Sequence, residues 1–227
     1  DSRYATYFSE RLGRALVGSE EGPFLAFRRD RFHAWLSEQL AANRPWDQIV
    51  TRLVTARGLP TGEPATNFIT IAQIDGEIDE EVLAGRTIRA FLGQRIDCAQ
   101  CHDHPLIDDY LQKDYYGIYA FLNRTYLFKP DKKKPGVLAE RPSGGVAFKS
   151  VFTGDAGVSR PRLLDERQLD EPAIASGQEY KVKPDKKKKN LRPVPTYSRR
   201  EQLARLVRDG NNRYFARNMA NRLWAVV

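Results

Sequence analysis

The sequence predicts a mainly α fold with one long irregular insertion that carries a few short β-strands. Three observations predict it. Apolar residues recur at intervals of three and four over most of residues 3–122 and again after 198, and clusters of Gly and Pro cut that pattern into helix-sized pieces. Between 129 and 195 the helical period disappears while Gly, Pro and Lys rise.

Over residues 3–17, Tyr4, Tyr7, Phe8, Leu12, Ala15 and Leu16 form the first apolar stripe, and Gly18 is suited to end it. Beyond the Gly22-Pro23 turn, residues 24–42 repeat the pattern with Phe27, Phe32, Trp35, Leu36 and Leu40. Pro45 fits the first turn of a third helix over 46–56, where Ile49, Val50, Leu53 and Val54 share a face. A Gly- and Pro-rich break at 58–64 follows. Residues 67–74 obey neither period and read as a short strand or a loop. Helical spacing returns over 79–92 and over 108–122, and Tyr115, Tyr116, Tyr119, Phe121 and Tyr126 make an aromatic cluster close in sequence to the cysteines. Within the insertion, residues 146–152 and 179–182 alternate in the manner of strands. Ser198 with Glu201 three residues on is a capping box for a helix reaching 209, and another helix starts at 214. The units expected are residues 1–128, 129–195 and 196–227.

The stretch that carries chemistry is Cys98-Ala99-Gln100-Cys101-His102, which contains both cysteines of the chain and one of its three histidines. C-x-x-C-H is the attachment pattern of c-type haem, in which two thiols add to the porphyrin vinyl groups and the adjoining imidazole ligates the iron. On a helical turn the three side chains share one face. With two cysteines a four-thiolate zinc site cannot form within the chain. A Cys2His2 site using His102 and His104 would be cramped, and a disulfide across so short a loop strained. The reading is therefore a helical c-type haem domain with one haem c, His102 being the proximal iron ligand; a different metal at the Cys/His cluster, or redox cysteines, stay open.

The opposite face of such a haem has two candidates, Met219 and His33. His104, two residues beyond His102, is expected either to support the site by hydrogen bonding or to ligate something in another subunit, Asp103 to orient a neighbour, and Arg95 and Arg89 to meet the propionates. Tyr115 and Tyr116 are expected to wall the pocket.

The formal charge of +8 would suit nucleic acid, but its distribution does not. Residues 129–142 and 181–192 hold net charges of +3 and +6, leaving the remainder at about −1. These lysine runs lack the interleaved aromatics of a single-strand groove, and no Gly-rich phosphate loop is present. They read as solvated loops or as a docking patch for an acidic protein surface. No apolar run is long enough to span a bilayer. The chain opens without a leader and stops within an apolar stretch, so both ends read as cut and export is left open.

With these residues in view, the chain resembles the planctomycete-type cytochrome c domain proteins, a bacterial family with a further C-terminal domain of unknown function. The resemblance rests on Arg44-Pro45-Trp46-Asp47-Gln48, on Phe91-Leu92-Gly93 followed by Cys98-Ala99-Gln100-Cys101-His102-Asp103-His104, and on Gln112-Lys113-Asp114-Tyr115-Tyr116 with Phe121. Residues 196–227, with Arg199-Arg200-Glu201, Tyr214-Phe215-Ala216-Arg217 and Asn221-Arg222-Leu223-Trp224, resemble the opening of that downstream domain. The resemblance implies export to the periplasm or the outer side of the membrane, because covalent haem is attached there, and implies little about chemistry.

Two functions follow as expectations. One is electron transfer by a cytochrome that is a subunit or module of a larger exported assembly and meets its redox partners through the lysine-rich segments. The other is an interaction protein in which haem or another metal is mainly a structural staple. A polysaccharide-active enzyme is a weaker third, since no carboxylate pair or nucleophile constellation stands out.

Overall fold

A computed structural model describes residues 2–19, 27–103, 107, 111–131, 134–150, 154, 156–164, 167–188 and 191–225. The opening helix α1 (Ser2–Val17) lies against α2 (Arg29–Ala41), burying Leu12, Leu16 and Val17 with Phe32, Trp35 and Leu36. The approach is close because α1 presents Gly13 to the ring of His33: a Cβ there would stand 2.4 Å from Cε1. α2 starts at Arg29, and residues 24–26, expected to open it, lie outside the described residues. Phe27 is buried ahead of it, and the Arg28 N–H donates to Asn67 Oδ1 at 2.7 Å instead of entering a helical ladder.

Next comes α3 (Trp46–Thr55), whose Ile49, Val50, Leu53 and Val54 are all buried. Residues 67–74 open on a helical turn, α4 (Asn67–Thr70), and only Gln73 and Ile74 are extended, as β1. A 3-10 turn that Pro64 starts, together with the Asn67 amide donating to Pro64 O at 2.8 Å, sets that turn in place of the expected strand or loop. β1 pairs antiparallel with β2 (Glu77–Ile78). Asp79 then caps α5 (Glu80–Thr87), its carboxylate accepting from the Val82 N–H at 2.9 Å. The helix widens into a π segment, Ile88–Leu92, and ends on Gly93 at φ +67, where a side chain would be strained.

α6 (Gln112–Leu122) follows the cysteine motif; residues 108–110, expected to begin it, lie outside the described set. Three further antiparallel hairpins come next: β3 (Thr125–Phe128) with β4 (Val137–Glu140), β5 (Val146–Lys149) with β6 (Ala156–Ser159), and β7 (Tyr180–Val182) with β8 (Val194–Pro195). The strand expected over 146–152 thus runs to Lys149. Periodicity misses β3 and β4 because all four β4 residues are buried, which erases the alternation of a one-sided strand.

Finally α7 (Arg199–Val207) and α8 (Arg213–Trp224) return the chain to helix. Ser198 caps α7 as expected, accepting from the Glu201 N–H at 3.1 Å, but the Glu201 carboxylate takes Arg57 at 2.8 Å. Leu203, Ala204 and Val207 of α7 belong to the same hydrophobic core as Leu36, Leu53, Phe91 and Phe121. No helix among the described residues is long and apolar enough to cross a membrane.

Candidate functional site

Cys98 and Cys101 stand on a 3-10 turn, Asp97–Gln100, closed by the Cys101 N–H donating to Cys98 O at 3.3 Å. Its buried member, Ala99, sits in the core beside Ile96. That anchor leaves both cysteines at the surface, not bonded to one another. The turn lies on the N-terminal end of α6. The Gln100 carbonyl accepts from the Tyr116 hydroxyl at 3.1 Å and from Gln112 Nε2 at 3.2 Å, while the Gln100 side-chain amide meets Glu81 of α5. Asp103 Oδ1 accepts from the Gln112 N–H at 2.7 Å, so the carboxylate expected to orient a neighbour caps a helix.

His102 Nδ1 stands 2.6 Å from the carbonyl oxygen of Asp103. A carbonyl only accepts, so Nδ1 is the donor in that contact. With Nδ1 held by the protein's own backbone, Nε2 is the nitrogen that would ligate a metal.

Tyr115 is buried in the core, its ring 5.4 Å edge-on from that of Tyr116. Tyr116 in turn stacks on Phe148 of β5 at 5.4 Å. Burial, then the nearby Glu81 and Cys101, raise the Tyr116 pKa, which keeps the phenol protonated and donating to Gln100. Of the aromatic cluster read from the sequence, Tyr115, Tyr116 and Tyr119 pack on one another with Tyr116 on the cysteine turn, whereas Tyr126 packs in a separate cluster with Phe128, Val137 and Ala139.

The residues that would hold a c-type haem are two surface cysteines three residues apart on a pinned turn and the imidazole that follows them, bound at Nδ1 by a backbone carbonyl. Among the described residues no group of three or more His, Cys, Asp or Glu side chains is arranged to hold a metal ion. His104 lies outside the described residues. His33 occupies the α1–α2 seam, packed on Gly13 with Nδ1 3.2 Å from Glu10 Oε1, a contact out of line for a hydrogen bond. Burial chiefly lowers its pKa, so it is neutral in the fold. Met219 packs from α8 against the core.

Arg95 and Arg89 share a cleft that sequence reasoning does not foresee. About 610 Å³ in volume, it opens between the end of α1, the stretch from α5 to Arg95, and α8. Arg14, Arg86 and Arg222 line it too, with Asn218 and Asn221. No Asp or Glu is among the described residues lining it. The sequence does contain these arginines, but they sit some 200 positions apart with no shared spacing to signal a site.

With the fold and the turn established, the chain belongs to the family described as PSCyt2, protein of unknown function (DUF1549), whose model matches residues 2–126. The match covers α1 to α6 and the cysteine turn. It stops before β4, α7 and α8, although α7 shares the core. No curated protein matches the chain, and no solved structure does.

Proposed function

We propose that this chain is a c-type cytochrome module that carries one haem on Cys98 and Cys101 with His102 as the iron's proximal ligand, and that it transfers electrons within a larger exported assembly. One observation carries the reading: the chain's two cysteines stand at the surface on one turn, directly before an imidazole whose Nδ1 lies 2.6 Å from a backbone carbonyl. Bound there, a haem supplies a one-electron iron couple. The chain's own contribution is to hold the turn. Tyr116, Gln112 and Glu81 fix Gln100 between the cysteines, and Ala99 roots it in the core. The lysine-rich segments on either side of the β5–β6 hairpin would steer an acidic redox partner to the surface.

A structural staple draws less support. The core beneath the turn, with Ile96, Ala99, Tyr115 and Ile118, is filled by the chain's own side chains. The deciding experiment is expression into a bacterial periplasm together with a haem-attachment system, followed by a pyridine haemochrome spectrum and an intact mass. The expected result is one haem per chain with the spectrum of two thioether links, lost in Cys98→Ser and in Cys101→Ser. A chain that emerges with both thiols free while a control cytochrome is loaded overturns it. Redox silence in a loaded protein would favour the staple.

A further inference from the structure

We infer that α8 is a latch on the cysteine turn, with Asn218 and Arg222 as positioning residues that hold Cys98 and Cys101 in the arrangement haem attachment needs. The consequence for haem rests on the function proposed above; the mechanical coupling does not. The last carbonyls of a helix find no partner inside it. In the π segment two of them are taken by α8: Arg222 Nη2 donates to Arg89 O and Asn218 Nδ2 to Ala90 O, both at 2.7 Å. Asn218 also lies over Gly93, where a Cβ would stand 2.7 Å from its Oδ1. Gly93, at φ +67, turns the chain out of the helix towards the cysteines. Beyond it Asp97 opens the cysteine turn, and its carboxylate comes back onto α5: a Cβ on Gly85 would stand 2.5 Å from Asp97 Oδ1.

The π segment therefore lies between the two points that set the approach to the turn, Gly85 under Asp97 and Gly93 under Asn218. Such segments are rare and recur at functional sites. Relaxing this one to an α register would rotate Gly93 by about 100° around the helix axis and draw Asp97 off Gly85. The far side of the turn is tied to α6 through the Gln100 carbonyl, so α8 governs the near side. The build of α8 suits a latch more than a core element. None of its described residues is fully buried, and it lies beyond residues 2–126, which the family model matches.

The test is amide hydrogen exchange in the haem-free chain, comparing the native protein with Asn218→Asp combined with Arg222→Met, which removes both donors. The Ala99 and Cys101 N–H groups close the turn on Ile96 O and Cys98 O. In the double variant they should exchange at least about tenfold faster, while amides in the middle of α3 keep the native rate. Arg222→Lys alone keeps a donor and should stay near native. Trp224→Ala, at a side chain 87 % exposed on the same helix, should change neither set. Asn218→Asp alone is read in the same way if the double variant does not fold. Produced with a haem-attachment system, the double variant should carry several-fold less haem per chain than the native protein. The latch is overturned if the turn amides keep their native rate, if the α3 amides accelerate equally, or if Trp224→Ala has the same effect. Equal haem loading in the two proteins overturns the role in attachment. A native chain that takes no haem overturns the cytochrome function instead and leaves the exchange result standing.

Discussion

Arg200 Nε lies 3.8 Å from Glu140 Oε2, and neither side chain has any exposed surface. The pair joins three parts of the chain. Arg200 Nη1 donates to Ala56 O at 2.7 Å at the end of α3, the Arg200 N–H donates to Glu140 Oε1 at 3.2 Å, and the Ser198 hydroxyl donates to the same carboxylate. Burial brings the guanidinium pKa down to about 10, with Glu140 opposing the shift, so the arginine is charged at neutral pH.

Removing Glu140 leaves the buried Arg200 charge without its carboxylate, and removing Arg200 leaves Glu140 only the more distant Arg57, at 3.9 Å. Arg200→Ala and Glu140→Gln should each cost about 3–5 kcal/mol in urea unfolding, whereas Arg200→Met combined with Glu140→Leu should recover much of the loss. Single variants whose midpoints stay near the native one would show that the pair does not hold α7 to β4.

Glu171 makes the corresponding contact outside the core. Arg124 grips its carboxylate with bonds of 2.8 and 3.1 Å, and Arg199 grips it from the other side. Burial alone would raise the Glu171 pKa, but hydrogen bonds and charge from Arg199 and Arg124 overcome it and hold the group below its ordinary 4.5. A depressed carboxylate stabilises the fold in full above the unfolded-state value and loses that contribution as pH falls through the folded one. Stability should therefore decline as pH drops below about 4.5, and Glu171→Gln should flatten that acid limb in denaturant titrations at stepped pH. An unchanged limb would remove Glu171 from the account.

The contact of Gly13 with His33 sets two effects against each other. Alanine at a helix interior is favoured by about 1 kcal/mol, while forcing a methyl into packed space costs about 1–3 kcal/mol. Since the ring atom would lie at 2.4 Å and the imidazole is buried, the clash should win and Gly13→Ala should lower the melting temperature. Adding His33→Ala should make the alanine much less harmful than in the native background, a coupling that a thermal double-mutant cycle reads directly.

Tyr116→Phe deletes the hydroxyl that holds the Gln100 carbonyl. The expected cost is about 1 kcal/mol, with exchange of the Cys101 amide hydrogen accelerated while amides in the middle of α3 are unaffected. A Cys101 amide that exchanges at its native rate would mean that the turn is held by Ala99 and Gln112 alone.

Most helices were legible because their apolar spacing is local: α1, α3 and α7 follow stripes that any 3.6-residue period would bury. The cysteine turn was legible for the same reason, since Cys98, Cys101 and His102 are neighbours in the chain. Misreadings arose where backbone partners lie far away. Asn67 sits in a helical turn because its amide meets Pro64 while its carbonyl holds Arg28, and β4, which the sequence did not signal, ends on Glu140 buried against Arg200 from sixty positions downstream.

By itself the sequence determined the helical class, the helix stops and the one turn whose thiols and imidazole are adjacent, since each depends on spacing within a few residues. Only the tertiary structure decided that β4 is buried on both faces, that α7 completes the core of the family segment, and that five scattered arginines line one cleft. Those outcomes come from long-range packing and charge, which no local pattern encodes.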